Sequence, residues 1–162
     1  MENNLTLFQF GVANMTLTMM LDGVTNDDSL MGTGEGNCIN WIAGHILTAR
    51  DILLESAGEG KFLTEEEKAL YRSGSSAIDG DSQSLPIEKI KEGLSYTSGK
   101  ISEVLAGVTA EKLSEPMDPS YFPVPVEDAN YGKFLNLLFY HEAYHTGQIG
   151  LNRRLLGKKN PL

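Results

Sequence analysis

Apolar residues recur at steps of three and four in four long segments of this chain, the spacing that gathers side chains on one face of a helix. The first, about residues 3–22, carries Leu5, Phe8, Val12, Met15 and Met19 as its stripe, and Asp22-Gly23 stops it. The second takes Asn37 as its N-cap and runs to about Ala57, with Ile39, Ile42, Ile46, Ala49 and Leu53 inward and Gly58 beyond its end. The third starts after Ser84 with Pro86 in its first turn and continues through Ile87, Ile90, Leu94, Thr97, Ile101, Val104 and Val108, weakened locally by Gly93 and Gly99. The fourth runs from about Tyr131 to Leu156, before Gly157 and Pro161. No segment shows the alternation of a half-buried strand, so the pattern predicts an all-α fold.

The connections are as informative as the helices. Residues 58–84 hold a short helical piece, Thr64 to Arg72, with a Thr64-Glu67 capping box, and then a Ser/Gly/Asp-rich loop. Such a long crossover does not force the second and third helices antiparallel, and four helices joined this way read as a four-helix bundle. Residues 109–130 carry four of the six prolines around Tyr121 and Phe122. That segment is a stiff surface linker or a wall of a pocket.

At 162 residues and 41% hydrophobic, the chain fits a single domain over residues 1–162. A net charge of -9 argues against a nucleic-acid partner, which needs a basic face, and no run approaches the roughly 20 apolar residues that span a bilayer. Cys38 stands alone and can form no internal disulfide, which suits a reducing cytoplasm, and the first residues carry no basic secretory leader, so the start reads as the mature terminus. Charge is uneven: residues 1–130 hold 8 basic and 21 acidic residues, residues 131–162 hold 5 and 1. Arg153, Arg154, Lys158 and Lys159 close the fourth helix, where cations oppose its dipole or form an anion-binding patch.

The chemistry lies in the three histidines. His141 and His145 are one turn apart on the fourth helix, about 40° from each other, and so can share one metal ion. Phe134, Leu137, Leu138, Leu155 and Leu156 project on the same side, as do Gln148 and Asn152, so this face is expected to enter the core. His45 sits on the apolar half of the second helix beside Trp41, Ile42 and Ile46. Alone it reads as a hydrogen-bonded core histidine; with the other two it completes a three-imidazole set with an open position for catalysis. Cys38 is about 10 Å away along the axis and reads as core filling.

His141-Glu142-Ala143-Tyr144-His145 also matches the zinc-peptidase pattern His-Glu-x-x-His, but no His, Asp or Glu follows to supply a third ligand. Glu142 projects about 80° from the two-histidine face and is either a general base, a partner of the ligands, or a surface carboxylate. Gln148, one turn beyond His145, is a candidate ligand-orienting or substrate-contacting residue. On the opposite side of the fourth helix Leu135, Phe139, Ala143, Thr146, Gly147 and Gly150 form an apolar, small-residue strip that suits a homodimer interface or packing inside the bundle.

These blocks, Gly23-Val24-Thr25-Asn26-Asp27-Asp28-Ser29-Leu30, Asn40-Trp41-Ile42-Ala43-Gly44-His45 and His141 to Ile149 running into Arg153-Arg154-Leu155-Leu156-Gly157, span nearly the whole chain. In them the sequence resembles the DinB/YfiT-like family of small metal-binding four-helix bundles. The resemblance implies an up-down-down-up topology, a divalent metal held by His45, His141 and His145, and frequent dimerisation. It further implies thiol-dependent transferases and isomerases that use low-molecular-weight thiols, beside members with no known reaction. The expected function is a Zn²⁺- or Ni²⁺-dependent S-transferase, isomerase or hydrolase acting on a small molecule in the cytoplasm. The alternative is a non-catalytic metal-binding or partner-binding bundle, with a zincin-type peptidase a weaker third.

Overall fold

The structure, a computed structural model, describes residues 2–32, 34 and 36–161. Its long helices are α1 (Glu2–Leu21), α3 (Ile39–Ser56), α5 (Ile87–Gly107) and α7 (Tyr131–Leu155), joined through the short α2 (Asn26–Leu30), α4 (Glu65–Tyr71) and α6 (Ala110–Ser114) and a 3-10 turn at Pro119–Tyr121. The described residues include no strand, only an isolated antiparallel bridge between Pro116 and Asn130. No helix among them is long and apolar enough to cross a membrane.

Local chemistry sets the helix ends. Asn130 accepts from the Lys133 amide and starts α7, while Thr25 and Thr64 each form a capping box, with Asp28 and Glu67 respectively. Gly23, Gly58 and Gly157 end α1, α3 and α7 with φ of +64°, +79° and +75°, a left-handed turn that glycine adopts without a Cβ penalty. The expected cap of α3 is corrected: Cys38 occupies the N-cap with no side-chain bond, and the Asn37 carbonyl instead accepts from Asn152 of α7. The expected crossover holds α4 where the capping box placed it, whereas α2, α6 and the 3-10 turn are too short to show a periodicity.

Each long helix packs against two others: α1 against α5 and α7, α3 against α5 and α7. Two apolar clusters fill the interior. One gathers Leu17, Met20, Ile39, Ile46, Leu47, Tyr71, Ile87, Leu94 and Ile149, and the other Phe10, Leu53, Leu54, Ile101, Leu105, Phe134, Leu135 and Phe139. Between them Asn14, Arg50 and Glu142 form a polar layer, described below. The inward stripe expected for the first helix is corrected. Leu5, Phe8, Val12 and Met15 face outward and Met19 is half-buried, while Phe10, Leu17, Met20 and Leu21 enter the core. No charged residue lies between Asn3 and Leu21 to mark the solvent side, so apolar spacing supports either face.

The basic end of α7 is also explained. Arg153 is buried and donates to the carbonyls of Met20, Asp22 and Lys159, and Lys158 reaches the Gly23 carbonyl and, at 2.8 Å, the Asp28 carboxylate. These two residues therefore bind the closing end of α1 and the start of α2 rather than a free anion, while Arg154 stays exposed. The hydrogen bond from Lys158, then those from Thr25, push Asp28 down from 3.8 to about 2. A depressed carboxylate stabilises the fold above its unfolded value and loses that contribution as it is protonated. The difference in melting temperature between the wild type and Asp28→Asn should accordingly hold steady above pH 5 and close as pH falls from 3.8 towards 2. A gap unchanged across that window in calorimetry contradicts the assignment.

Candidate functional site

The block Asn40 to His45 anchors the crossover to α3. Asn40 is buried; its amide donates to the Leu85 carbonyl at 2.9 Å and its oxygen accepts from the Tyr71 hydroxyl at 3.0 Å, which in turn accepts from the Leu85 amide. The Tyr71 ring is fully buried against Gly44, where a Cβ would overlap its atoms. Seated there, Tyr71 presents its main-chain carbonyl to His45 Nδ1 at 2.7 Å. A carbonyl only accepts, so Nδ1 carries the hydrogen and Nε2 keeps its lone pair. Trp41, one turn earlier, stacks on the His45 ring at 4.7 Å and 16°.

The other two imidazoles come from α7. His141 and His145 lie with ring centroids 4.4 Å apart, and Gln148 Oε1 accepts from His145 Nδ1 at 2.6 Å, again freeing Nε2. The Gln148 amide donates to the Tyr144 hydroxyl at 3.3 Å. His45 Nε2 approaches His141 Nε2 to 3.0 Å, and one nitrogen from each of the three rings lies within 4.8 Å of the others. An ion about 2.1 Å from each nitrogen in a tetrahedral shell needs donors about 3.4 Å apart, so the donor set fits a metal. Burial, then the neighbouring imidazoles His145 and His45, push His141 down to about 3. Burial also lowers His45, against the pull of the Tyr71 carbonyl, and lowers His145, against that of Gln148. All three shifts favour the neutral ring, the form that ligates.

The three rings are half-buried rather than sealed in the core. They form one side of an open cleft of about 590 Å³, whose other side is supplied by Tyr121, Phe122 and Pro123 of the proline-rich connection. Tyr121 and Phe122 rest on Phe134, with centroids 5.6 and 6.2 Å away, so this connection is a wall of the pocket. The expectation that the whole histidine face enters the core needs correction at its ends, where Leu137 and Leu138 are half-buried at the cleft and Leu155 is exposed. Asn152, by contrast, is buried and spent on the Asn37 carbonyl. Cys38 is buried in the core, as expected, and burial pushes its thiol up.

Glu142 is not at the surface, nor does it line the cleft. It is 4% exposed and forms a two-point ion pair with Arg50, Nε to Oε2 at 2.9 Å and Nη2 to Oε1 at 2.5 Å. Gln148, a candidate for orienting a ligand or contacting a substrate, is bonded to His145 Nδ1. The roles of Tyr71 and Arg50 had not been anticipated. An interior helical glycine beside His45 was a signal for close approach by another segment, whereas a main-chain acceptor leaves no residue type to search for. Gly44→Ala should displace the Tyr71 ring and destabilise the fold by about 1–3 kcal/mol, the usual range for overpacking. Thermal melting checks this, and a wild-type melting temperature in that variant would contradict the seating of Tyr71.

The comparisons with known proteins follow the same outline. No curated protein matches the sequence. Among solved structures, one described as the crystal structure of the conserved protein of locus from Enterococcus faecalis aligns with a TM-score of 0.71, covering 96% of this chain and 97% of that one at 15% identity, a likeness of fold. The family model described as the DinB superfamily matches residues 12–149, a span that includes His45, Tyr71, His141, His145 and Gln148. With most of its length and all three clustered histidines under that match, the chain belongs to the DinB superfamily.

Proposed function

We propose that this chain is a single-domain, cytoplasmic four-helix bundle of up-down-down-up topology in which His45, His141 and His145 hold Zn²⁺ or Ni²⁺. Its activity is that of a thiol-dependent S-transferase, isomerase or hydrolase on a small molecule. The observation that carries this reading is the meeting of three neutral imidazoles at the side of an open cleft. The topology is supported by the order in which the helices meet the two clusters: α1 and α7 reach Phe10 and Phe139 before Leu17 and Ile149, α3 and α5 reach Leu47 and Leu94 before Leu53 and Ile101. The lone buried thiol supports the cytoplasm.

When bound, the ion supplies Lewis acidity that makes a coordinated thiol or water a nucleophile near neutral pH. The chain's own residues do the rest. The Tyr71 carbonyl and Gln148 hold two rings in the ligating tautomer, and Tyr121 and Phe122 give the cleft an apolar wall that keeps bulk water from one side of a substrate. The ion pair with Arg50 leaves Glu142 unsuited to the base role of a zincin-type peptidase. The second reading, a metal-binding or partner-binding protein without turnover, is favoured by one observation: no carboxylate lines the cleft among the described residues.

Alanine at any one of His45, His141 or His145 should abolish stoichiometric retention of one divalent ion per chain, read by elemental analysis of untagged protein after dialysis. Full occupancy in His45→Ala would reject the three-histidine site. A panel of small-molecule substrates with glutathione, bacillithiol or mycothiol separates the two functional readings, since metal-dependent conversion of a substrate, with the thiol consumed in S-transfer and regenerated in isomerisation, belongs only to the enzyme.

A homodimer is also proposed, through a surface shifted from the one expected. Leu135, Phe139, Thr146 and Gly150 of the α7 strip are buried, Phe139 against Phe10 of α1. What remains open, Ala143 and Gly147, borders a groove shared with Val12 and Ala13, beside the outward stripe Leu5, Phe8 and Met15. Like-charged chains of net -9 meet most readily over such an uncharged helix. Light scattering should report twice 17.7 kDa. A Cβ at Gly147 meets nothing within 4 Å in its own chain, so Gly147→Leu should fold and shift the mass towards monomer. A monomeric wild type at micromolar concentration excludes the dimer.

A further inference from the structure

The charged pair at the centre of the bundle does more than fill it. Arg50 donates through Nε and Nη2 to both Glu142 oxygens, through Nη1 to the Leu94 carbonyl at 2.9 Å, and through Nη2 to Asn14 Oδ1 at 3.1 Å. Its guanidinium also lies 5.2 Å from the Phe10 ring centroid. One side chain of α3 is thereby bonded to α1, α5 and α7 at the level where the two apolar clusters meet. Glu142 directly follows His141 and stands three residues before His145, while Arg50 is five residues beyond His45, about 7.5 Å along the axis.

We propose that Arg50 and Glu142 are positioning residues of the metal site: their two-point bond sets the rotation and axial register of α7 on α3, and so the distance from His45 to His141 and His145. The proposal rests on the metal reading above. Its physical basis is direction. Packed apolar surfaces tolerate small slides, whereas a planar guanidinium bonded to both oxygens of one carboxylate has one geometry, and ligating atoms need to be held within about 0.5 Å. The bonds to α5 and α1 keep the guanidinium itself from turning. Glu142 is thus the buried end of a strut running behind the histidines, and it takes no part in lining the cleft that His141, Tyr144 and His145 line.

Two variants test this, Glu142→Gln and the double substitution Arg50→Met with Glu142→Met. For each, zinc affinity is measured by competition with a chromophoric chelator, the visible spectrum is recorded with Co²⁺, and the metal-free protein is melted. Glu142→Gln should weaken zinc binding by roughly 10- to 100-fold and alter the cobalt bands. The double variant removes both charges together, so it should melt near the wild type, and it should still bind zinc as weakly as the single one. A merely structural pair predicts the opposite, recovery of affinity along with stability. Zinc affinity within about twofold of wild type in either folded variant overturns the proposal, and the double variant carries the test if the single one does not fold. Wild-type protein that takes up neither zinc nor nickel removes the metal reading and this one together, a failure seen in the unsubstituted chain and so distinguishable from the other.

Discussion

A guanidinium taken out of water must have its donors met, and the burial of Arg50 at 3% exposure imposes that requirement on every long helix at once. Its partners are a carboxylate on α7, an amide oxygen on α1 and a main-chain carbonyl on α5. Apolar residues lie on both sides of this layer, Leu47 and Leu53 on α3 and Phe139 and Ile149 on α7. The hydrophobic clusters supply the bulk of the driving force for collapse, but they contain little that distinguishes one axial register from the next. The polar layer does, because a sliding helix would strand a charge in an apolar interior.

The same economy governs the crossover. Leu85 lies at its far end and Tyr71 near its middle, and both are tied to Asn40 on the first turn of α3. Asp51, buried further along α3, accepts from the amides of Phe62 and Leu63, so the segment is held to that helix at both ends. A long connection on the surface of a bundle would ordinarily move freely. Here its path is set by buried hydrogen bonds, and the path delivers a carbonyl to His45.

Much of this was legible in the residues, and the exceptions have physical causes. The four long helices follow from their apolar spacing, and the site from three histidines two of which stand one turn apart, because both depend only on side-chain type and helical geometry. The exposed face of α1 was misread because a helix without charges carries no mark of which side meets water. For Glu142 the sequence leaves base, ligand partner and surface carboxylate open, since a carboxylate off the apolar stripe ordinarily faces solvent and its partner Arg50 is 92 residues away in sequence. Nothing in the identity of residue 71 announces that its backbone oxygen orients His45.

That last contact has a consequence for how the site can change over generations. A main-chain carbonyl is present whatever amino acid stands at a position, so replacing Tyr71 does not delete the acceptor in the way that replacing Gln148 deletes its counterpart on His145. One imidazole is therefore governed by a residue that a point mutation can erase, the other by the number of residues between Ser56 and Ile87. Insertions and deletions in that interval, which leave every histidine in place, are heritable changes that reach His45, alongside substitutions such as Gly44→Ala that unseat the Tyr71 ring.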